Sequence, residues 1–184
     1  MKELATGETE TAGSLDPRGD WTLRTAMTAT GPLDRASFLQ AAQEEFHRAR
    51  TYRLAFGVAL MRIDSFNTLR VDLGEEACRE MVETIASMCL TNLRRSDIFG
   101  QIGPSYFAVL CPCTPMANVA RMCERLRRTL ADFRLVSSGA DVRVTASFGV
   151  TDLEPEDRDF KDMLRRAAQA LRQANLAGGN QVCW

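Results

Sequence analysis

Arg94 and Asp97 stand three residues apart, just beyond a helical stretch, and Arg121, Arg125 and Arg128 follow at helical spacing. An arginine fork meets two acceptors at once, and its flat face stacks on planar ligands. A carboxylate held in a fixed position accepts N–H donors. These residue types in this pattern suit a site for an anionic, hydrogen-bonding ligand. The plain alternative is an Arg94–Asp97 surface ion pair, with an arginine favoured at a helix C-terminus and a solvated arginine face beside it. A second group, Arg62, Arg70 and Arg79, reads first as surface ion pairing, since Arg79 has Glu75 and Glu83 four residues to either side. The sharper reading of that group is an anion pocket.

Other chemistries find little support. The six cysteines, at 78, 89, 111, 113, 123 and 183, form no C-x-x-C, and His47 is the one histidine. Zinc sites need clustered Cys and His, so buried reduced thiols are expected, with Cys183 the more exposed. A net charge of −1 gives no broad basic surface for nucleic acid. The longest apolar run, Leu54 to Met61, is far short of the roughly 20 residues that span a bilayer. With no apolar signal region at the N-terminus, the expected location is the cytoplasm.

The elements that must position the arginines are legible in outline. Residues 1–27 read as a flexible leader or linker, with Trp21 and Leu23 as its apolar anchors, and 28–184 as one domain. Phe38, Ala41, Ala42, Phe46 and Ala49 recur at helical spacing, with Asp34 or Ser37 as the cap. Leu54 to Ile63 is a continuous apolar run, expected as a central strand buried on both faces. A short helix follows to Leu73, broken by Gly74. Glu75 to Leu93 is a longer one, with Cys78, Met81, Val82, Ile85 and Cys89 in one stripe. Asp97 to Ile102 and Tyr106 to Cys111 form a hairpin around Gly103-Pro104-Ser105, whose polar tip is expected in solvent. Met116 to Phe133 is helical. Val142 to Leu153 alternates, which predicts a strand with one buried face. Phe160 to Ala177 is a last helix ending at Gly178-Gly179, and residues 180–184 an edge strand. Val58, Leu60, Ile63, Phe107, Val109, Val144 and Phe148 are the expected sheet core.

Several of these stretches resemble the GGDEF (diguanylate cyclase) family. Gly103-Pro104-Ser105-Tyr106-Phe107 stands where that family has Gly-Gly-Asp/Glu-Glu-Phe. Thr30-Gly31-Pro32-Leu33-Asp34-Arg35-Ala36-Ser37-Phe38 is similar to its opening T-G-L-x-N-R-x-x-F turn. Ala146-Ser147-Phe148-Gly149-Val150 is similar to its S-x-G strand. The resemblance implies an α/β fold of the nucleotidyl cyclase palm type, with a mostly antiparallel five-stranded sheet flanked by helices.

Family members join two GTP molecules into cyclic di-GMP on magnesium held by carboxylates. The matching positions here are Arg62 and Ser105. Arg70 and Arg79 stand where the family reads guanine, and Asn67, Asn175 and Gly179 where it holds phosphates. The expectation is therefore a degenerate domain that is not an enzyme and needs no cofactor or metal. Arg94-Arg95-Ser96-Asp97 matches the family's R-x-x-D inhibition site for cyclic di-GMP, and Arg125, after Cys123-Glu124, matches its further arginine. Arg94 and Asp97 would meet guanine O6/N7 and its N–H donors, with Arg125 on phosphate or stacked and Arg121 and Arg128 beside them. The function expected is a cyclic di-GMP receptor that signals to a protein partner, with ligand promoting self-association into a homodimer. A docking module without ligand is the first rival and a residual cyclase the second.

Overall fold

The computed structural model describes residues 31–137 and 140–184, so the leader assigned to 1–27 and Thr30 of the opening turn lie outside the described residues. Asp34 caps the first helix, α1 (Arg35–Tyr52), by accepting from the Ser37 amide at 2.9 Å. The apolar run that follows is strand β1 (Phe56–Ile63), then come α2 (Phe66–Leu73) and α3 (Glu75–Asn92). Gly74 separates those two helices at φ 82°, a left-handed angle that suits glycine. The hairpin is β2 (Ile98–Gly103) and β3 (Tyr106–Pro112), and α4 (Met116–Asp132) carries the arginine face. After α4 come β4 (Arg134–Ser137), β5 (Ala140–Arg143), β6 (Ala146–Asp152), α5 (Phe160–Leu176) and β7 (Val182–Cys183).

The five-stranded sheet runs β2-β3-β1-β6-β7, antiparallel except for the β6–β7 pair. Helices cover both faces. Ala59, Met61 and Ile63 of β1 pack with α3 and α4, whereas Phe56, Val58 and Leu60 pack with α1 and α5. All seven expected core residues are buried, divided between these two layers. Val109→Ala removes two methyl groups from a site that is 1% exposed. It is expected to cost about 1–3 kcal/mol, read as a lowered urea midpoint at constant slope.

Three expectations need correction. The stretch read as one strand from Val142 divides, its first part pairing with β4 in a separate two-stranded ribbon. Its second part, β6, is buried on both faces, because it lies between β1 and β7 with helices above and below. Alternation there marks large against small residues, not inside against outside. Phe148 and Val150 face the α3–α4 layer, while a Cβ at Gly149 would lie 2.1 Å from the Ala167 carbonyl of α5.

The hairpin tip meets solvent, as expected, but not at every residue. Pro104 is exposed, but Ser105 is buried, and its carbonyl accepts from the Ile63 amide at 3.0 Å. That bond continues the β1–β3 ladder one residue past the Arg62–Tyr106 pair. Among the cysteines, Cys113 is the exposed one, in a left-handed position after β3, and Cys183 is only partly exposed. All six are free thiols.

Candidate functional site

The turn between α3 and β2 is closed from within. The Asp97 amide donates to the Arg94 carbonyl at 3.0 Å, and the Asp97 carboxylate accepts from the Arg94 amide at 2.9 Å. This reciprocal pair closes the R-x-x-D segment on itself, with Arg94 exposed and Asp97 buried at 5% exposure. Across from it, Arg125 of α4 donates to the Asn92 carbonyl at the end of α3, at 2.7 Å. That bond satisfies a terminal helix carbonyl and holds the guanidinium over the turn.

Between the turn and α4 lies an open cleft of about 240 Å³. Arg94, Asp97, Arg121 and Arg125 supply its charged lining, with Cys111, Val119 and Met122 beneath. Burial pushes the Asp97 carboxyl above the ordinary aspartate range, against the Arg94 amide and the charges of Arg94 and Arg125. Burial likewise pushes the Cys111 thiol well up, with Asp97 adding to the shift, so it stays a neutral floor group.

Four of the five residues expected at this site therefore meet, and Arg128 does not. Its Nε donates to Glu124 one turn back, at 2.8 Å, which holds it on the outer surface. Glu124 also takes both forks of Arg127, and these arginines hold its carboxyl down at about 2. Asp97 departs from expectation in being buried, so its carboxylate serves the fold as well as any ligand. Asn118 lines the cleft too, unread in the sequence although it stands three residues before Arg121 and seven before Arg125. That spacing on one helix face is the signal that finds it.

The second arginine group stays apart. Arg79 is held by Glu76 and Glu83, and Arg70 lies 3.7 Å from Glu75, so both make solvated ion pairs. Arg62 lies at the far end of β1, opposite Tyr106 and Ser147. Asp97 leads into the other end of the sheet, beside Cys111, five strand residues and thus roughly 17 Å from Tyr106. Asp64, just past β1, accepts from the Thr145 and Ser147 hydroxyls at 2.8 and 2.7 Å and from the Asn180 amide at 2.8 Å. A guanidinium at 62, a hydroxyl at 105 and so committed a carboxylate do not fit a magnesium pair, which wants free hard oxygens.

With a five-stranded palm, a hairpin paired to its central strand and a basic cleft at the opposite end of the sheet, the class is defined. The family model described as diguanylate cyclase, GGDEF domain, matches residues 28–181, and the chain belongs to that family. The chain is 28% identical over 153 residues to the diguanylate cyclase DgcP of Pseudomonas aeruginosa, covering 83% of this chain and 23% of that protein. It spans less than half the length of the curated relatives DgcP, DgcC of Escherichia coli and YhcK of Bacillus subtilis.

Two solved structures share the fold. One is the GGDEF domain of DgcB from Caulobacter crescentus in complex with c-di-GMP, with TM-score 0.80 and 20% identity over 83% of this chain and 90% of that one. The other is the diguanylate cyclase SiaD of Pseudomonas aeruginosa in complex with its activator SiaC, with TM-score 0.78 and 23% identity over 91% of this chain and 60% of that one.

These relationships correct the expectation that the chain is not an enzyme. The family is described by its cyclase, and the relative DgcP carries that name. Side-chain differences at Arg62, Ser105, Asn67, Arg70, Arg79, Asn175 and Gly179 are thus no sufficient basis for excluding activity. Among the described residues, no helix is long and apolar enough to cross a membrane.

Proposed function

We propose that the cleft between the 94–97 turn and α4 binds cyclic di-GMP and that the domain serves as a receptor for it, passing occupancy to a protein partner. The observation that carries this reading is the convergence of Arg94, Asp97, Arg121 and Arg125 on one open cleft. Three guanidiniums against one carboxylate leave two positive charges, complementary to two phosphodiesters. An arginine fork suits guanine O6 and N7, and Asp97 is the acceptor for guanine N–H groups. One Asp97 oxygen is already engaged by the Arg94 amide, so the other is the one presented to ligand. The supports are rigid, which lowers the ordering cost of binding. Neither metal nor cofactor is needed for it. Ligand-promoted pairing with a second copy belongs to the same reading.

Equilibrium titration with cyclic di-GMP tests this, and its pH dependence is specific to Asp97. Folding raises the pKa of this carboxyl, so the ligand-free protein takes up a proton at higher pH than an ordinary aspartate near 4. The bound form requires the carboxylate. Affinity is therefore expected to be full above the raised pKa and to fall as pH drops through it, beginning above the usual aspartate range. An affinity flat down to the ordinary aspartate pKa would remove Asp97 from the contact.

A further inference from the structure

The cyclic di-GMP reading, on which this inference rests, uses the charged lining of the cleft and leaves one polar wall residue without a task. Asn118 stands in the first turn of α4, and with Arg121, Met122 and Arg125 it forms the helix face lining the cleft. Seven residues of helix, at about 1.5 Å each, separate Asn118 from Arg125 by roughly 10 Å along the axis. Arg125 lies at the Asp97 end, where its charge acts on that carboxyl and its Nη2 bonds the end of α3. Asn118 is thus at the far end, beside Thr114. The Thr114 hydroxyl is spent on the Pro112 carbonyl at 2.9 Å. Among the described residues, the Asn118 carboxamide has no hydrogen-bond partner, and it is exposed to the cleft mouth.

The two ends therefore differ in the base edge they suit. Arg94, Asp97 and Arg125 offer donors to O6 and N7 and an acceptor to N1–H and N2–H, which is the pattern of guanine. A carboxamide offers one donor and one acceptor side by side, which pairs twice with adenine N7 and N6–H₂. Against the same edge of guanine it meets two acceptors, so only its amide group finds a partner and its oxygen faces O6.

We propose that Asn118 is a base-reading residue, and that the cleft discriminates among cyclic dinucleotides in favour of one guanine and one adenine. Guanine occupies the Asp97 end and adenine the Asn118 end. Cyclic di-AMP is disfavoured, because adenine has no N1–H or N2–H donor for Asp97. Cyclic di-GMP binds with its second guanine held by half of the carboxamide.

Calorimetric titration of the full chain with cyclic di-GMP, the mixed guanine–adenine cyclic dinucleotide and cyclic di-AMP tests the assignment. Expected is an order of affinity with the mixed ligand tightest, cyclic di-GMP about tenfold weaker and cyclic di-AMP weakest, each bidentate pair being worth about that much discrimination. Asn118→Ala, at an exposed position that leaves the fold alone, is expected to lower mixed-ligand affinity about tenfold and cyclic di-GMP affinity by less than about threefold. If cyclic di-GMP binds but Asn118→Ala weakens all ligands equally or none, the base-reading role is wrong while the receptor reading stands. If none of the three binds, both fall.

Discussion

Replacing Asp157 with alanine is expected to destabilise the fold by about 2–4 kcal/mol, somewhat under the range for breaking a fully buried ion pair. Asp157 is 2% exposed and lies between β6 and α5. Its carboxylate takes both terminal nitrogens of Arg166 and, at 2.8 Å, the Glu154 amide, while its carbonyl accepts from Arg50 of α1 at 2.7 Å. One residue thus ties together the loop after β6 and the two helices on that face of the sheet. Arg166 keeps partners in Thr151 and the Asp152 carbonyl and is itself about one-third exposed, which moderates the loss. Chemical denaturation of the variant measures it, and a change under about 0.5 kcal/mol, typical of surface positions, would contradict this account of the network.

The larger functional effect is expected at the cleft. Arg94→Ala should lower cyclic di-GMP affinity at least about tenfold, and Arg94→Ala with Arg125→Ala about a hundredfold or more, since charge-assisted fork contacts contribute about 1–3 kcal/mol each. Both side chains are exposed, so the fold should hold. Asp97 needs a gentler probe, because its carboxylate closes the 94–97 turn from a buried position. Alanine there would leave the Arg94 amide without its partner and confuse folding with binding. Asp97→Asn keeps an acceptor for that amide and turns a donor toward the guanine N–H groups, so affinity should fall while the melting temperature changes little. A matching loss of stability in the arginine variants would show that they hold the fold and not the ligand.

What the sequence made legible follows from how local each signal is. The α3 stripe, the capping Asp34 and the continuous run of β1 report on their own surroundings, and each element formed where its pattern lies. The R-x-x-D segment and the α4 face were legible for the same reason, one marking a helix end and the other a face. Burial decided by distant segments was not legible. Gly149 and Ser147 read as the exposed face of a strand until α5 closes over Gly149 and Asp64 takes the Ser147 hydroxyl. Asp97 read as a surface acid, yet the turn it closes lies against the sheet. Arg128 has the same spacing as its neighbours, and only Glu124 diverts it. Arg62, Ser105 and the neighbouring positions 67, 70, 79, 175 and 179 read as a lost reaction centre, and it is the family relationship, which carries the cyclase name, that corrects the exclusion of an enzyme.

Calorimetric titration of the wild-type chain with cyclic di-GMP, beside the Arg94→Ala/Arg125→Ala variant, tests the central claim most directly. The account predicts saturable binding by the wild type near neutral pH, without added metal, and a loss of about a hundredfold or more in the variant at unchanged fold. Saturating ligand that produces no heat and no thermal shift in the wild type, or binding that survives intact in the variant, would contradict it.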